Sequence, residues 1–372
     1  MTASAQESAA LHARARAFAF AFEARSPMPE PFDSLACDLA RFQAAHSEGY
    51  ARLCRARSVD PSRATHASEL PAVPTEAFKL ARVSTIAPEA AAVTFRTSGT
   101  TIGARGAHAM RDVSTYDRAA LAFGRWALAS DLEDLAEVIV LAPPEDEAPD
   151  SSLGHMLALF ARELGRPRRR DETYFVRGGT LDVDALRTHV AQLATLASVP
   201  ALVLGTSFAF VHVLDALVGE ERLPLPPRSR VMQTGGFKGK SREVDASSLR
   251  AELGRVFQID ERAIVSEYGM TELSSQFYEA SIARGGARSG VYVEPPWARV
   301  VPVDPETLAP VADGEIGIAR IEDLMNVDSA FAVLAADRVK RVEGGFELLG
   351  RAEGAAPRGC SIAIDELLGD AR

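Results

Sequence analysis

Two loops in this sequence gather the residue types that handle phosphate. The first is Phe95-Arg96-Thr97-Ser98-Gly99-Thr100-Thr101-Ile102-Gly103-Ala104-Arg105-Gly106. Its hydroxyls and flexible backbone N–H groups can wrap phosphate oxygens, and its glycines let the backbone come close. No Gly-Lys-Ser/Thr follows, so this is not a Walker A loop. The second is Ser266-Glu267-Tyr268-Gly269-Met270-Thr271-Glu272, directly after the apolar run at 263–265. A tyrosine ring can stack on a nucleobase. One carboxylate can supply an oxygen to Mg2+, which takes one or two protein carboxylates plus phosphate oxygens. Each loop alone also fits a plainer description. The first is equally an exposed Ser/Thr/Gly turn, and in the second Thr271 or Glu272 is equally a helix N-cap. The two together are more specific than either.

The elements around these loops point to an α/β fold. Residues 4–25 read as a helix that holds the apolar run AFAFAF at 17–22. That run is too short for a signal peptide, and Glu23 and Arg25 follow it. Pro27 to Pro31 breaks the helix. Leu35, Leu39, Phe42 and Leu53 then recur on a helical period in a segment ending near Arg57. A Pro-rich connector at 70–79 leads on. Apolar runs at 91–95, 137–142, 200–204, 229–233 and 262–266 read as buried strands. Helical stretches near 114–129, 152–164, 181–197, 207–218 and 246–257 separate them, which predicts a mostly parallel, covered sheet. After about 285, short segments joined by Gly and Pro turns read as antiparallel strands. The expected division is a helical region and connector at 1–90, an α/β core at 91–284 and a β-rich piece at 285–372. In such a sheet, ligands bind in the crevice outside the carboxyl ends of the strands, where both loops are expected.

Composition excludes several classes. The chain has 41 Lys+Arg against 51 Asp+Glu, a net charge of −10, and is 47% hydrophobic, an ordinary soluble globular balance. The acidic excess argues against a nucleic-acid binder. No stretch approaches a membrane span. The 3 cysteines, Cys37, Cys54 and Cys360, cannot form a disulfide framework, which predicts a reducing, cytoplasmic setting. Among the 41 basic residues the lysines are Lys79, Lys238, Lys240 and Lys340 alone, so any chemistry that needs a lysine has few candidates.

Taken together, the Ser/Thr/Gly loop and the later Tyr-Gly-Met-Thr-Glu resemble the adenylate-forming superfamily, which activates carboxylic acids with ATP. More closely, the chain resembles the LuxE-type acyl-protein synthetases. The likeness rests on PAVPTEAFK at 71–79, TSGTT at 97–101, TGGFKGK at 234–240, SEYGMTELSSQFY at 266–278, and Leu349-Gly350-Arg351 with Arg358-Gly359-Cys360-Ser361. It implies an adenylate-forming body without the mobile C-terminal lid of larger members. It implies ATP-phosphate contacts from Thr97, Ser98, Gly99, Thr100 and Thr101. Arg105 is a candidate substitute for the lysine usual in that loop. Tyr268, with Gly269 beside it, would stack on adenine, against the purine-pocket backbone of Gly235 and Gly236. Thr271 would touch the α-phosphate and Glu272 would bind Mg2+, while Asp337 and Arg351 would hold the ribose. Asp337 also reads as a turn residue or an ion-pair partner of Arg338 or Lys340.

By the same resemblance Cys360 would carry the acyl group as a thioester. Its place near the C-terminus predicts mobility over burial, and Arg358 would favour the thiolate; Cys37 and Cys54 read as buried apolar residues. The larger relatives' lid carries a bridging lysine; here that cation is expected from Lys238 or Lys240, with Lys79 third. His155 reads as a structural histidine or a wall of the acyl pocket. The expected activity is formation of acyl-AMP from a fatty acid, transfer to Cys360, and delivery to acyl reductase and acyl-transferase partner proteins. An acyl- or aryl-CoA ligase of the phenylacetate-ligase type and a non-catalytic nucleotide-binding subunit are the alternatives.

Overall fold

The computed structural model describes residues 2–97, 104–133, 136–195, 199–219, 221–235, 244–285, 289–352 and 358–369. These fall into two units. One comprises Gly124–Gly269 and Phe277–Gly290, and the other Met1–Phe123, Met270–Gln276 and Val291–Arg372. The bounds differ from the three consecutive segments drawn from the sequence, because distant stretches pair. Val73 and Pro74 run parallel to Val333 and Leu334 within the second of these units.

The first unit is built on parallel strands. Glu137–Leu141, Ala201–Thr206, Arg230–Thr234 and Ile264–Tyr268 pair side by side in that order, and Phe277–Glu279 adds an antiparallel edge. Strands buried on both faces read as unbroken apolar runs, and those at 137, 200, 229 and 262 were legible for that reason. On one face Ile139, Leu141, Val203, Val231 and Ile264 pack against Leu186, Val190, Phe210, Leu249, Leu253 and Phe257. These come from the helices Val183–Thr195, Ser207–Ala216 and Ala246–Phe257. Elsewhere in this unit the helix Ser152–Glu163 places the Phe160 ring against Gly124, where a Cβ would collide with it.

The second unit holds the helices Ala3–Glu23, Phe32–His46, Glu48–Ala56 and Arg358–Leu368. The amphipathic segment around Leu35 to Leu53 is broken at Ser47, which is extended at φ −122°. Its sheet runs Ala298–Val303, Ile316–Asp323, Ala332–Val342, Gly345–Arg351 and Val291–Val293, with antiparallel neighbours throughout. The chain around Asp328 is tied to the first two helices. Ser8 and His12 bond the Asp328 carboxylate at 2.8 and 2.9 Å, and the Gln43 amide donates to Asn326 O at 2.8 Å.

One expectation is corrected. The run at 91–95 is not part of a parallel sheet. Val93–Arg96 pairs antiparallel with Ala107–Met110 as a separate two-stranded sheet in the second unit. A four-residue apolar run has the same composition in a central strand and in a packed hairpin. Composition therefore did not distinguish them.

Candidate functional site

In the parallel-stranded unit the carboxyl ends of three strands form one polar rung. Thr206 is paired with Thr234, Thr234 with Glu267, and Glu267 with Tyr278 on the antiparallel edge. Partners in register share a face, so these side chains stand in a row. Thr234 Oγ1 donates to Glu267 Oε2, and Tyr278 Oη donates to Met156 Sδ at 3.8 Å. Glu267 is buried, and burial pushes its carboxyl up to about 7 against the lowering effect of the Thr234 hydroxyl. Gly235 follows Thr234 with φ +73° and open space where a Cβ would be, a left-handed conformation that favours glycine. Its carbonyl accepts from Ser207 Oγ at 2.9 Å. Tyr268 is buried with its ring 5.9 Å from that of Phe277.

Alternate residues on the same strand serve the opposite face. Arg250 Nη2 donates to Ser266 Oγ at 3.2 Å and to Glu279 Oε2 at 2.5 Å. Glu279 Oε2 also accepts from Ser266 N at 3.0 Å. This buried pair anchors the strand that carries Glu267 and Tyr268.

In the other unit Thr97 and Gly106 form the neck of the Ser/Thr/Gly loop. Thr97 N–H donates to Gly106 O, and Gly106 N–H donates to Thr97 Oγ1, both at 2.9 Å. Arg105 donates to Thr97 O at 2.6 Å and Arg96 O at 3.2 Å, so its guanidinium braces the neck. On the next strand His108 is buried, and burial lowers its pKa to about 4, so the ring is neutral. Its Nδ1 lies 2.8 Å from Thr271 O, which only accepts, so Nδ1 carries the proton. Thr271 is thereby fastened through its backbone. Glu272 is buried, and its carbonyl accepts from Asn326 Nδ2 at 2.9 Å. Asp323 accepts from Ser274 N at 2.9 Å and Ser275 Oγ at 2.7 Å, which fixes the turn beyond it.

Asp337 and Arg351 stand directly opposite one another on paired strands, beside a register shift. Arg351 Nη2 lies 3.2 Å from Glu76 Oε1, and Lys79 Nζ lies 2.7 Å from Glu76 Oε2. Lys79, the third candidate for the bridging cation, is thus already held by a carboxylate.

Cys360 departs from expectation. It lies in the helix Arg358–Leu368 and is 5% exposed. Burial, then the charge of Glu76, pushes its thiol up to about 11. The thiol is therefore buried and neutral where mobility and a thiolate were expected. The reason is packing. Cys360, Ala363 and Leu367 form the buried stripe of the helix. Gly359 N–H donates to Pro305 O at 2.9 Å, and Arg52 Nε donates to Leu367 O at 2.9 Å. Cys37 and Cys54 are buried, as read. His155 lies 2.6 Å from Glu145.

Ser98, Gly99, Thr100, Thr101, Gly236, Lys238 and Lys240 lie outside the described residues. Sequence reasoning passed over Glu267, His108 and Glu76. The last lies in PAVPTEAFK and the first in SEYGMTE, both quoted motifs, and His108 stands on the strand leaving the first loop. Among the described residues no three His, Cys, Asp or Glu side chains converge to hold a metal, so Glu272 fits Mg2+ only as a single carboxylate completed by phosphate oxygens. Among them no helix is long and apolar enough to cross a membrane.

Comparison with known proteins adds the lineage. A long-chain-fatty-acid–luciferin-component ligase of Aliivibrio fischeri is 26% identical over 299 residues, covering 78% of this chain and 74% of that one. Among solved structures, a 2-hydroxyisobutyryl-CoA ligase in the postadenylation state matches with TM-score 0.62 at 13% identity, over 86% of this chain and 67% of that one. ATP-bound MatB from Rhodopseudomonas palustris matches with TM-score 0.47 at 18% identity, and this chain spans about half its length, 70% of this chain aligning with 48% of that one. The fold is that of the adenylate-forming ligases, as the motifs implied. The family described as acyl-protein synthetase, LuxE, matches residues 1–369, and the chain belongs to it.

Proposed function

We propose that this chain activates a fatty acid with ATP and Mg2+ to an acyl-adenylate, then carries the acyl group as a thioester on Cys360. The group is passed to a partner protein, an acyl reductase or acyl transferase. The observation that carries this reading is the extent of the family match. Residues 1–369 take in both phosphate-handling loops, Asp337, Arg351 and Cys360.

In the first step a carboxylate oxygen attacks the α-phosphorus of ATP, the bond to the β-phosphate breaks, and pyrophosphate leaves. Two anions meet, so the site must neutralise charge more than move protons. Tyr268 would stack on the base, and Asp337 and Arg351 would hold the ribose. Thr97 and its loop would contact the β- and γ-phosphates, and Thr271 the α-phosphate. Mg2+, bound through Glu272, would supply positive charge to the phosphate oxygens. Lys238 and Lys240 are the proposed bridging cations. ATP–pyrophosphate exchange at the wild-type rate in both Lys238→Ala and Lys240→Ala would remove them from the scheme.

In the second step the Cys360 sulfur attacks the acyl carbonyl, the bond to AMP breaks, and the thiol proton passes to solvent. Cys360 is buried and neutral in this structure, so this step requires the thiol to become accessible. That burial also favours a second reading, in which CoA is the acceptor. Incubation with radiolabelled fatty acid and ATP separates the two. Protein label that is hydroxylamine-sensitive and lost in Cys360→Ser is expected. Label that appears only as acyl-CoA once CoA is added would establish the second reading.

A further inference from the structure

Thr271 and Glu272 occupy the two central positions of a tight turn, closed by Leu273 N–H donating to Met270 O at 3.1 Å. The peptide that joins them is the part of a turn that rotates when the turn changes type, and its rotation would re-aim both side chains. Two buried side chains hold this peptide and the next. The Thr271 carbonyl accepts from His108 Nδ1 at 2.8 Å, and the Glu272 carbonyl accepts from Asn326 Nδ2 at 2.9 Å. Asn326 Oδ1 in turn accepts from Ser274 Oγ at 2.7 Å, so Asn326 ties the turn to the chain directly after it. His108 ties it to something else. It pairs in register with Phe95, two residues before Thr97. Its strand, Ala107–Met110, is pinned on either side. Gly106 is bonded twice to Thr97, and Arg111 N–H donates to Asp328 Oδ2 at 3.0 Å. The His108 ring is 2% exposed and meets the Phe78 ring edge-on at 6.2 Å. A ring so enclosed on a pinned strand cannot swing away without leaving a buried N–H unpaired, which is costly.

We propose that His108 is a positioning residue for acyl-adenylate formation, a strut that sets the Thr271–Glu272 turn against the neck of the Ser/Thr/Gly loop. It fixes the spacing between the group assigned to the α-phosphate and the loop assigned to the β- and γ-phosphates, and to that extent the inference rests on the function proposed above. His108 acts through the Thr271 backbone and not on the substrate. A misplacement of about 1 Å in such a site costs about 100-fold in rate. The loss should therefore fall on kcat, with binding of ATP little changed.

The test is ATP–pyrophosphate exchange by the whole protein with a saturated fatty acid, its chain length chosen on the wild type. His108→Leu keeps the bulk and removes the donor. His108→Asn puts an amide N–H where Nδ1 stands. His108→Leu is expected to lower kcat about 10- to 100-fold with the KM for ATP changed less than about 3-fold, and His108→Asn to recover most of that rate. Urea unfolding of each variant is measured alongside. A merely structural role would lower the unfolding midpoint and move kcat and KM together, alike in both variants. Nitrogen-15 spectra of the wild-type ring, assigned by its loss in His108→Asn, give a readout free of substrate. The proton is expected on Nδ1 at pH 7 and still at pH 5.5, since burial lowers this pKa to about 4. A proton on Nε2, wild-type kcat in His108→Leu, or no recovery in His108→Asn overturns the inference while leaving the proposed function intact. No exchange by the wild type with any fatty acid overturns the proposed function, and the inference falls with it.

Discussion

In the unit built on parallel strands, Thr206, Thr234 and Glu267 come from separate stretches of chain yet lie on one rung. Parallel connections return every strand in the same direction, so all carboxyl ends meet at one edge. In the other unit the main sheet's described strands alternate in direction, so their carboxyl ends do not share one edge. There Asp337 meets Arg351 through a hairpin register, and Glu76 reaches Arg351 and Lys79 from an N-terminal turn. The energetics differ in the same way. Arg250 and Glu279 pair at 7% and 2% exposure, whereas Arg351 is 61% exposed and Lys79 38%. The first pair is a fixed part of the core. The second group is free to exchange partners, because exposed ion pairs contribute little.

That contrast can be broken at four places. Arg250→Ala should be the most damaging. It leaves Glu279 buried without its cation, which costs about 3–5 kcal/mol, read as a lowered midpoint in urea unfolding. The Glu267 carboxyl comes next. Its folded value of about 7 lies above the ordinary 4.5, so its stabilising contribution is present below about pH 4.5 and lost as pH rises through 7. Relative to the wild type, Glu267→Gln should gain stability between pH 5 and 8, by about 3 kcal/mol at most. Unfolding curves at the two pH values check this, and a gap that narrows or stays constant would refute it. Arg351→Ala should raise the KM for ATP about 10-fold with kcat little changed, the loss of one charged hydrogen bond; steady-state kinetics decide. Smallest is Glu76→Gln. It should move Cys360 ionisation to lower pH, but by less than burial raises it, since burial is the larger cause. Thiolate absorbance measured against Cys360→Ser reports that shift.

Much of the fold was legible because apolar runs and helical periods report burial directly. Four of the five expected strands and most of the expected helices fall where the pattern put them, while the segment from Leu35 to Leu53 is two helices parted at Ser47. The hairpin Val93–Arg96 escaped because pairing partners are not written in a short apolar run. Glu267 escaped for a related reason. On strands buried on both faces, alternation no longer tells in from out, and a glutamate reads as a solvent residue. Cys360 shows the opposite failure. The spacing of Cys360, Ala363 and Leu367 already described a buried helical stripe, but position near the terminus was weighed more heavily than periodicity. The roles proposed for Tyr268, Thr271, Glu272, Asp337 and Arg351 rest on motif likeness, since no spacing alone distinguishes a ribose contact from an ion pair.

The neck made by Thr97 and Gly106 bears on how this family can be re-engineered. Two hydrogen bonds between Thr97 and Gly106, with the Arg105 guanidinium beside them, hold the ends of the Ser/Thr/Gly loop together. With closure already secured, doubling the length of the insert costs only about 0.6 kcal/mol in chain entropy. The segment between residues 97 and 105 is therefore a cassette, open to exchange with loops of other lengths while Thr97, Arg105, Gly106 and the two strands beneath them are kept.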